Sequence, residues 1–307
     1  MKKFEVFGLQ SLPEIRPGDN LPKMIIDSAE EEIGALEAGD ILILTSKIIS
    51  KSMGLVKKKS DVKVTKDALA VSGRTGKDPV WVQMVMDEGH EIITVIPLNG
   101  IFREHVMDAS EDIRCSTGLC DYEQCILVTL SPRGILHTCD AGIDGSNHPE
   151  GVVSFMPPDP DEVAEAVREE ITAATGKDVA VILADTELMP FGTMDFAVGS
   201  SGIEPRSREF GRADKFGRPK FGGMDLTAHQ LVAAAALHFG QIDAGIPAVV
   251  VRGYKYCRSD TRNIANTLWP VGNRQQARRA VREIMRATAG ARPLAQRLLL
   301  TIASWFV

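Results

Sequence analysis

The chain has 307 residues, 44% apolar and 25% charged, the balance of a soluble protein that buries a sizeable core in one large domain or two lobes. That composition excludes a disordered tail, a collagen-like fibre and a disulfide-stapled miniprotein. The net charge of −6 hides an asymmetry: residues 1–251 carry 24 basic against 39 acidic side chains, −15, and residues 252–307 carry 11 against 2, +9. No run approaches the ~18–20 apolar residues that cross a bilayer, and Glu5 falls where a signal peptide needs its apolar stretch. Five cysteines, an odd number, speak for a reduced protein, so the expected compartment is the cytoplasm.

In chain order, residues 5–9 predict a short strand, and Gly18, Asp19 and Asn20 a turn. Met24, Ile25, Ile26, Ile33 and Leu36 recur at helical spacing until Gly39. Residues 41–45 are an unbroken apolar run, read as a buried strand that delivers Ser46, Lys47 and Lys51 at its end. Two lysines four apart suit either an anion or a solvated basic turn. Trp81, Val82, Val85 and Met86 suggest a helix leading into a strand near 92. Residues 98–125 break the rhythm. There Cys115, Cys120 and Cys125, with His105, fit a structural metal only marginally, and small buried cysteines are the plainer reading.

The clearest unit spans 157–184. Asp159 is placed as N-cap, Pro160 at the first helical position, and Asp161 and Glu162 at the positive end of the dipole. Val163, Val167 and Ile171 share a face, Gly176 closes the helix, and an apolar strand at 179–184 ends on Asp185 and Thr186. An alanine-rich helix is expected over about 226–239, then a last strand at 247–251. Arg274, Arg278, Arg279, Arg282 and Arg286 fall largely on helical spacing before an apolar end near 298–306. Docking of this segment on the acidic body or a second copy is expected in preference to a membrane surface. The mixture predicts α+β lobes.

Two segments combine the groups that metal–phosphate sites require. In residues 140–147, Gly142 and Gly145 let the backbone approach a ligand, Asp144 offers a hard oxygen, and Asn147 can donate or accept. Asp185 and Thr186 add a carboxylate and a hydroxyl, the ligand types of a hard divalent ion. The plain alternatives are turn formers and a strand-end cap. GxxxxGK[ST], GxGxxG, HExxH, CxxC and GxSxG are all absent from the sequence, and His229 and His238 on the alanine-rich helix read as structural.

Assembled, the pieces EVFGLQSLPEI, RPGDNL, LTSKIISK, DAGIDGSN, PPDPDEVAEAVREEI, VAVILADT, DFAVG and LVAAAALHFGQIDAGIPAVVVRG resemble the F420-0:γ-glutamyl ligase family over roughly residues 4–254. The resemblance implies a two-lobed α+β mixed-sheet fold. It implies a catalytic domain over 1–254, with an apparent insertion at 98–125, and a basic C-terminal extension over 255–307. The implied activity is addition of L-glutamate to coenzyme F420-0 through an acyl phosphate, using GTP and two divalent ions, Mg²⁺ or Mn²⁺, with K⁺ as a further candidate. Lys47, Asp144 and Asp185 would be catalytic. Asp144 and Asp185 would hold the first ion, Thr186 and Gln241 the second. Nucleotide contacts would come from Leu12, Pro13, Glu14, Ile15, Ser46, Lys47, Lys51, Asn147, Phe239, Gly240, Gln241, Ile242, Asp243, Ala244, Gly245 and Ile246. A homodimer is implied, and no nucleic acid partner. Where the family usually carries Gly-Arg-Pro-Trp-Arg after the Asp-Thr pair, residues 187–192 read Glu-Leu-Met-Pro-Phe-Gly, and His229-Gln230 replaces an Asp-Glu. The departures admit a folate or other pterin acceptor, or a non-catalytic nucleotide-binding relative.

Overall fold

The computed structural model describes residues 3–97, 125–189, 192–240, 242–267, 274–291 and 293–303. Its main sheet runs β1 (Glu5–Gly8), β10 (Ala248–Arg252), β2 (Ile41–Thr45), β8 (Ala180–Met189), β9 (Gly192–Ser201). β2 and β8 are parallel, from Ile41 opposite Ala180 to Thr45 opposite Ala184. The other neighbours are antiparallel. The sheet is therefore mixed, as expected.

Helices cover both faces of this sheet, which is why its central strands are continuous apolar runs and not alternating ones. Leu42, Leu44, Val181, Leu183 and Val250 are fully buried on the side of α1 (Leu21–Ile33) and α5 (Pro160–Thr175). Ile41, Ile43, Ile182, Val249 and Val251 are fully buried on the side of α6 (Thr227–Phe239). The caps of α5 are those the sequence announced: Asp159 Oδ1 accepts from Glu162 N at 3.1 Å, and Gly176 adopts φ 68°. The helix sits so close to β9 that a Cβ on Gly199 would lie 2.4 Å from the Pro160 backbone, so only glycine fits there.

A smaller lobe lies between β2 and β8 in sequence. It contains α3 (Lys66–Thr75), α4 (Pro79–Asp87), the pair β3 (Val56–Lys58) with β7 (Val152–Ser154), and the sheet β4 (Glu91–Ile96), β5 (Ile126–Leu130), β6 (Leu136–His137). Trp81, Val82, Val85, Leu127, Ile143 and Phe155 form its own core. Cys125 is buried there. Cys115, Cys120 and His105 lie outside the described residues. Near the C-terminus, α8 (Arg274–Gly290) packs on α9 (Leu294–Ala303), and Leu294, Leu298, Leu299 and Ile302 stand exposed.

Two local readings change. The lysine pair is not in a turn: Ser46–Ser52 form α2, and Lys51 is buried. β8 does not stop at Ala184 but continues to Met189 in a hairpin with β9. A further helical turn, α7 (Ile264–Thr267), is pinned by Asp161, whose carboxylate accepts from Ser200 N, Ile264 N and Ala265 N at 2.8–3.0 Å.

The small lobe is stapled by a buried ion pair. Lys77 Nζ lies 2.6 Å from Asp140 Oδ2 and also donates to Cys125 O, while Asp140 Oδ1 accepts from Leu127 N. Burial pushes the Asp140 carboxyl up, outweighing the attraction of Lys77. Lys77→Met should leave that carboxylate buried and unpaired, at a cost of about 3–5 kcal/mol, visible as a lowered midpoint in thermal or urea unfolding.

His229, buried on α6, accepts from Ala197 N at 3.0 Å and meets Phe196 edge-on at 4.9 Å. Burial lowers its imidazole from the ordinary 6.5 to about 4. Between those values the unfolded chain binds a proton that the fold refuses, so stability falls as pH drops through this window. The full loss is about 3 kcal/mol. His229→Asn, which can still accept from Ala197 N, should flatten the dependence of unfolding free energy on pH between 6.5 and 4.

Candidate active site at the end of the parallel strand pair

The site follows from one mismatch in strand length. β2 ends at Thr45, opposite Ala184, and the chain turns at once into α2. β8 runs on, so beyond Ala184 its β2-facing flank has no strand partner. Asp185 and Thr186 occupy that flank, bordered by the segments 12–15, 144–147 and 240–247 around a cavity of about 380 Å³.

Asp185 is half-buried in the cavity wall, and Ser46 Oγ, from the first residue of α2, donates to its Oδ1 at 2.6 Å. Burial raises its carboxyl well above the usual range, and the charges of Glu187, Asp144 and Asp195 push the same way. Gly142, at φ 70°, makes room for it: a Cβ there would stand 3.2 Å from Asp185 Oδ2 and 2.9 Å from Met156 Cε. Glu187 is turned into the small lobe, where Thr138 N, Thr138 Oγ1 and His137 Nδ1 hold it at 2.6, 2.7 and 3.2 Å.

Asp144 is presented by a backbone clamp, exchanging N–H···O bonds of 3.0 and 2.8 Å with Ser154. Lys47 Nζ reaches Asp144 Oδ2 at 2.8 Å and Ser146 Oγ at 2.5 Å. Lys51 Nζ bonds Glu14 Oε1 and, at 2.9 Å, Asn147 O. Asn147, at φ 53°, sends Nδ2 to Ile242 O at 3.0 Å. These contacts tie the four segments into one rim. Thr186 Oγ1 donates to Asp195 Oδ1 at 2.7 Å.

Leu12, Pro13, Glu14, Ile15, Ser46, Lys47, Lys51, Asp144, Asn147, Asp185, Thr186, Phe239, Gly240 and residues 242–246 all line this cavity. Gln241 lies outside the described residues. Sequence reasoning missed Asp195 and Ser146 as lining groups. Ser146 could have been taken from its place beside Asp144, whereas Asp195 carries no local signal without the β8–β9 register. The cavity wall carries the carboxylates of Glu14, Asp144, Asp185, Asp195 and Asp243 against the two ammonium groups of Lys47 and Lys51. Its donors are oxygens, without thiolate or imidazole, a set suited to hard cations. Among the described residues, no three His, Cys, Asp or Glu side chains already converge on one point. An ion held by Asp144 and Asp185 would complete its shell with hydroxyl, carbonyl or water oxygens.

Residues 10–253 match the F420-0:Gamma-glutamyl ligase family. The Coenzyme F420:L-glutamate ligase of Methanothermobacter thermautotrophicus is 33% identical over 259 residues, which are 83% of this chain and 92% of that protein. Proteins of the same name from Archaeoglobus fulgidus and Methanocaldococcus jannaschii are each 32% identical over 82% of this chain and 88% of their own length. The matched span contains both strands of the parallel pair and every wall of the cavity, and the chain belongs to the F420-0:γ-glutamyl ligase family.

Proposed function

We propose that the chain is a GTP-dependent γ-glutamyl ligase that adds L-glutamate to coenzyme F420-0 by way of an acyl phosphate. The observation that carries this reading is the meeting of Asp144, Asp185, Lys47 and Lys51, from three separate segments, on one cavity at the end of the parallel pair. Ligand sites of open α/β sheets characteristically lie beyond the carboxyl ends of their strands.

The charge balance argues for divalent ions beside the nucleotide. A triphosphate could not settle against five carboxylates and two lysines unless cations came with it. The half-buried Asp185, ringed by like charges, suits that role, and Asp144 and Ser46 stand beside it. Bound Mg²⁺ or Mn²⁺ would screen the phosphates and the charge that develops during phosphoryl transfer. Lys47 and Lys51, fixed by Asp144, Ser146, Glu14 and Asn147, supply positive potential already organised before substrate arrives. A homodimer and a cytoplasmic location belong to the same proposal.

The test is product formation by purified protein with GTP, L-glutamate, Mn²⁺ or Mg²⁺, and either F420-0 or a reduced folate. Glutamylated F420-0, detected by mass, is the expected outcome. Product from the folate alone would move the acceptor to a pterin, and nucleotide binding without product from either would point to a non-catalytic relative. Asp144→Asn should lower kcat at least ~100-fold, since a metal ligand supports several kcal/mol of charge stabilisation, and intact turnover in this variant would refute the assignment. Asp185→Asn should abolish turnover yet raise the melting temperature of the ligand-free protein. It removes a half-buried charge among like charges and keeps the acceptor for Ser46; ~1 kcal/mol gained corresponds to ~2–4 °C.

A further inference from the structure

Asp144 comes from the small lobe and Asp185 from the main sheet, and the turn at 140–142 sets how they meet. Asp140, Ala141 and Gly142 take φ of 48°, 63° and 70° in succession, one turn of left-handed helix. Aspartate and glycine enter this region readily, but alanine does so at a steric cost. Ala141 is nevertheless held there, buried with Ile143 in the core of the small lobe. On the other side of the turn Gly142 leaves room for Asp185, whose Oδ2 would stand 3.2 Å from a Cβ at that position. Two residues on, Asp144 enters its clamp with Ser154. The turn is wedged between the small-lobe core and one carboxylate, and its exit aims the other.

A strained turn persists only where its surroundings over-determine it. The Asp140 side chain is one such constraint, with the residue only 3% exposed. Its Oδ1 accepts from Leu127 N of β5 at 2.9 Å, and its Oδ2 from Lys77 Nζ, between α3 and α4, at 2.6 Å. Ties in two directions fix the carboxylate plane, and with it the residue from which the turn starts. Stability alone would not call for this arrangement, since apolar side chains of similar volume often replace a buried ion pair without loss. We infer that Asp140 is a positioning residue for the cation site: tied to Lys77 and Leu127, it locks the left-handed turn that sets Asp144 against Asp185. This rests on the nucleotide–metal reading above, and it places control of the site's geometry in a residue outside the cavity wall.

The experiment measures Mn²⁺ binding to the full chain by electron paramagnetic resonance in the presence of GDP. It also measures kcat for glutamate addition, and amide hydrogen exchange of the ligand-free protein, all well below each variant's melting temperature. Asp140→Gly permits the backbone angle but removes both ties, and should weaken Mn²⁺ binding and lower kcat ~10–100-fold. Asp140→Asn keeps the acceptor for Leu127 N and should lose ~3–10-fold in both. In the ligand-free variants the amides of Gly142, Ile143 and Asp144, bonded in the native turn and clamp, should exchange faster than in wild type. Val85→Ala opens a cavity in the same small-lobe core; it should lower the melting temperature yet leave Mn²⁺ affinity and kcat within ~2-fold. If Asp140→Gly does not fold, Asp140→Asn carries the same test. Wild-type Mn²⁺ affinity and kcat in the folded Asp140 variants, or an equal loss in Val85→Ala, would overturn this inference and leave the nucleotide–metal reading standing. Absence of Mn²⁺ binding to wild type would overturn both.

Discussion

The parallel pairing of β2 with β8 is the constraint on which the rest of the molecule hangs. Parallel neighbours cannot be joined by a tight turn, so the chain between Thr45 and Ala180 must cross from one end of the sheet to the other. That crossover begins with α2, contains the entire small lobe, and closes with α5 on the sheet face. The small lobe is thus an enlargement of one β-to-β connection. Its loop at 144–147 is delivered over the carboxyl end of β2 by the Asp144–Ser154 clamp. Residues 242–247, leading into β10, arrive at the same end because β10 is antiparallel to β2. Site and topology have one origin.

Charged groups divide into two kinds by how the fold treats them. Lys77 with Asp140, Arg252 with Asp40, and Asp161 with three backbone N–H groups are buried or half-buried and matched. Around the cavity the matching is partial: Lys47 meets Asp144 and Lys51 meets Glu14, while Asp185 has one hydroxyl donor and three like charges near it. A buried carboxylate without a counter-charge lowers stability, and such arrangements concentrate where a ligand later supplies the compensation. On the proposed reading, Asp185 is where a bound ion would supply that compensation.

How legible this was in the sequence depended on whether burial or the site dictated each pattern. α5 was readable to the residue, because Asp159, Pro160 and Gly176 each have a local physical reason to be where they are. The central strands were readable because both of their faces are buried. α2 was obscured: seven residues rich in serine and isoleucine have weak helical propensity, and the tertiary bonds of Ser46 and Ser50 hold the helix in place. The second half of β8 was invisible for a different reason. From Asp185 onward its residues answer to the cavity and the hairpin, so the apolar run stops while the strand continues. Asp195 could be found only through strand register, because its partner Thr186 is nine residues away and on another strand.

That division also separates the walls of the cavity from the hairpin of β8 and β9. The nucleotide side of the proposed site is built from segments 12–15, 46–51, 144–147 and 240–247, cross-linked by Lys47, Lys51 and Asn147, so change in one disturbs the others. Glu187 and Leu188 lie instead on the outer part of β8, paired with β9, beyond which the main sheet has no further strand among the described residues. Glu187 is there absorbed by His137 and Thr138 of the small lobe, which anchors the hairpin without drawing on the cavity. A hairpin held from behind can change the residues around its tip while Asp185 and Thr186, nearer the sheet centre, stay in register.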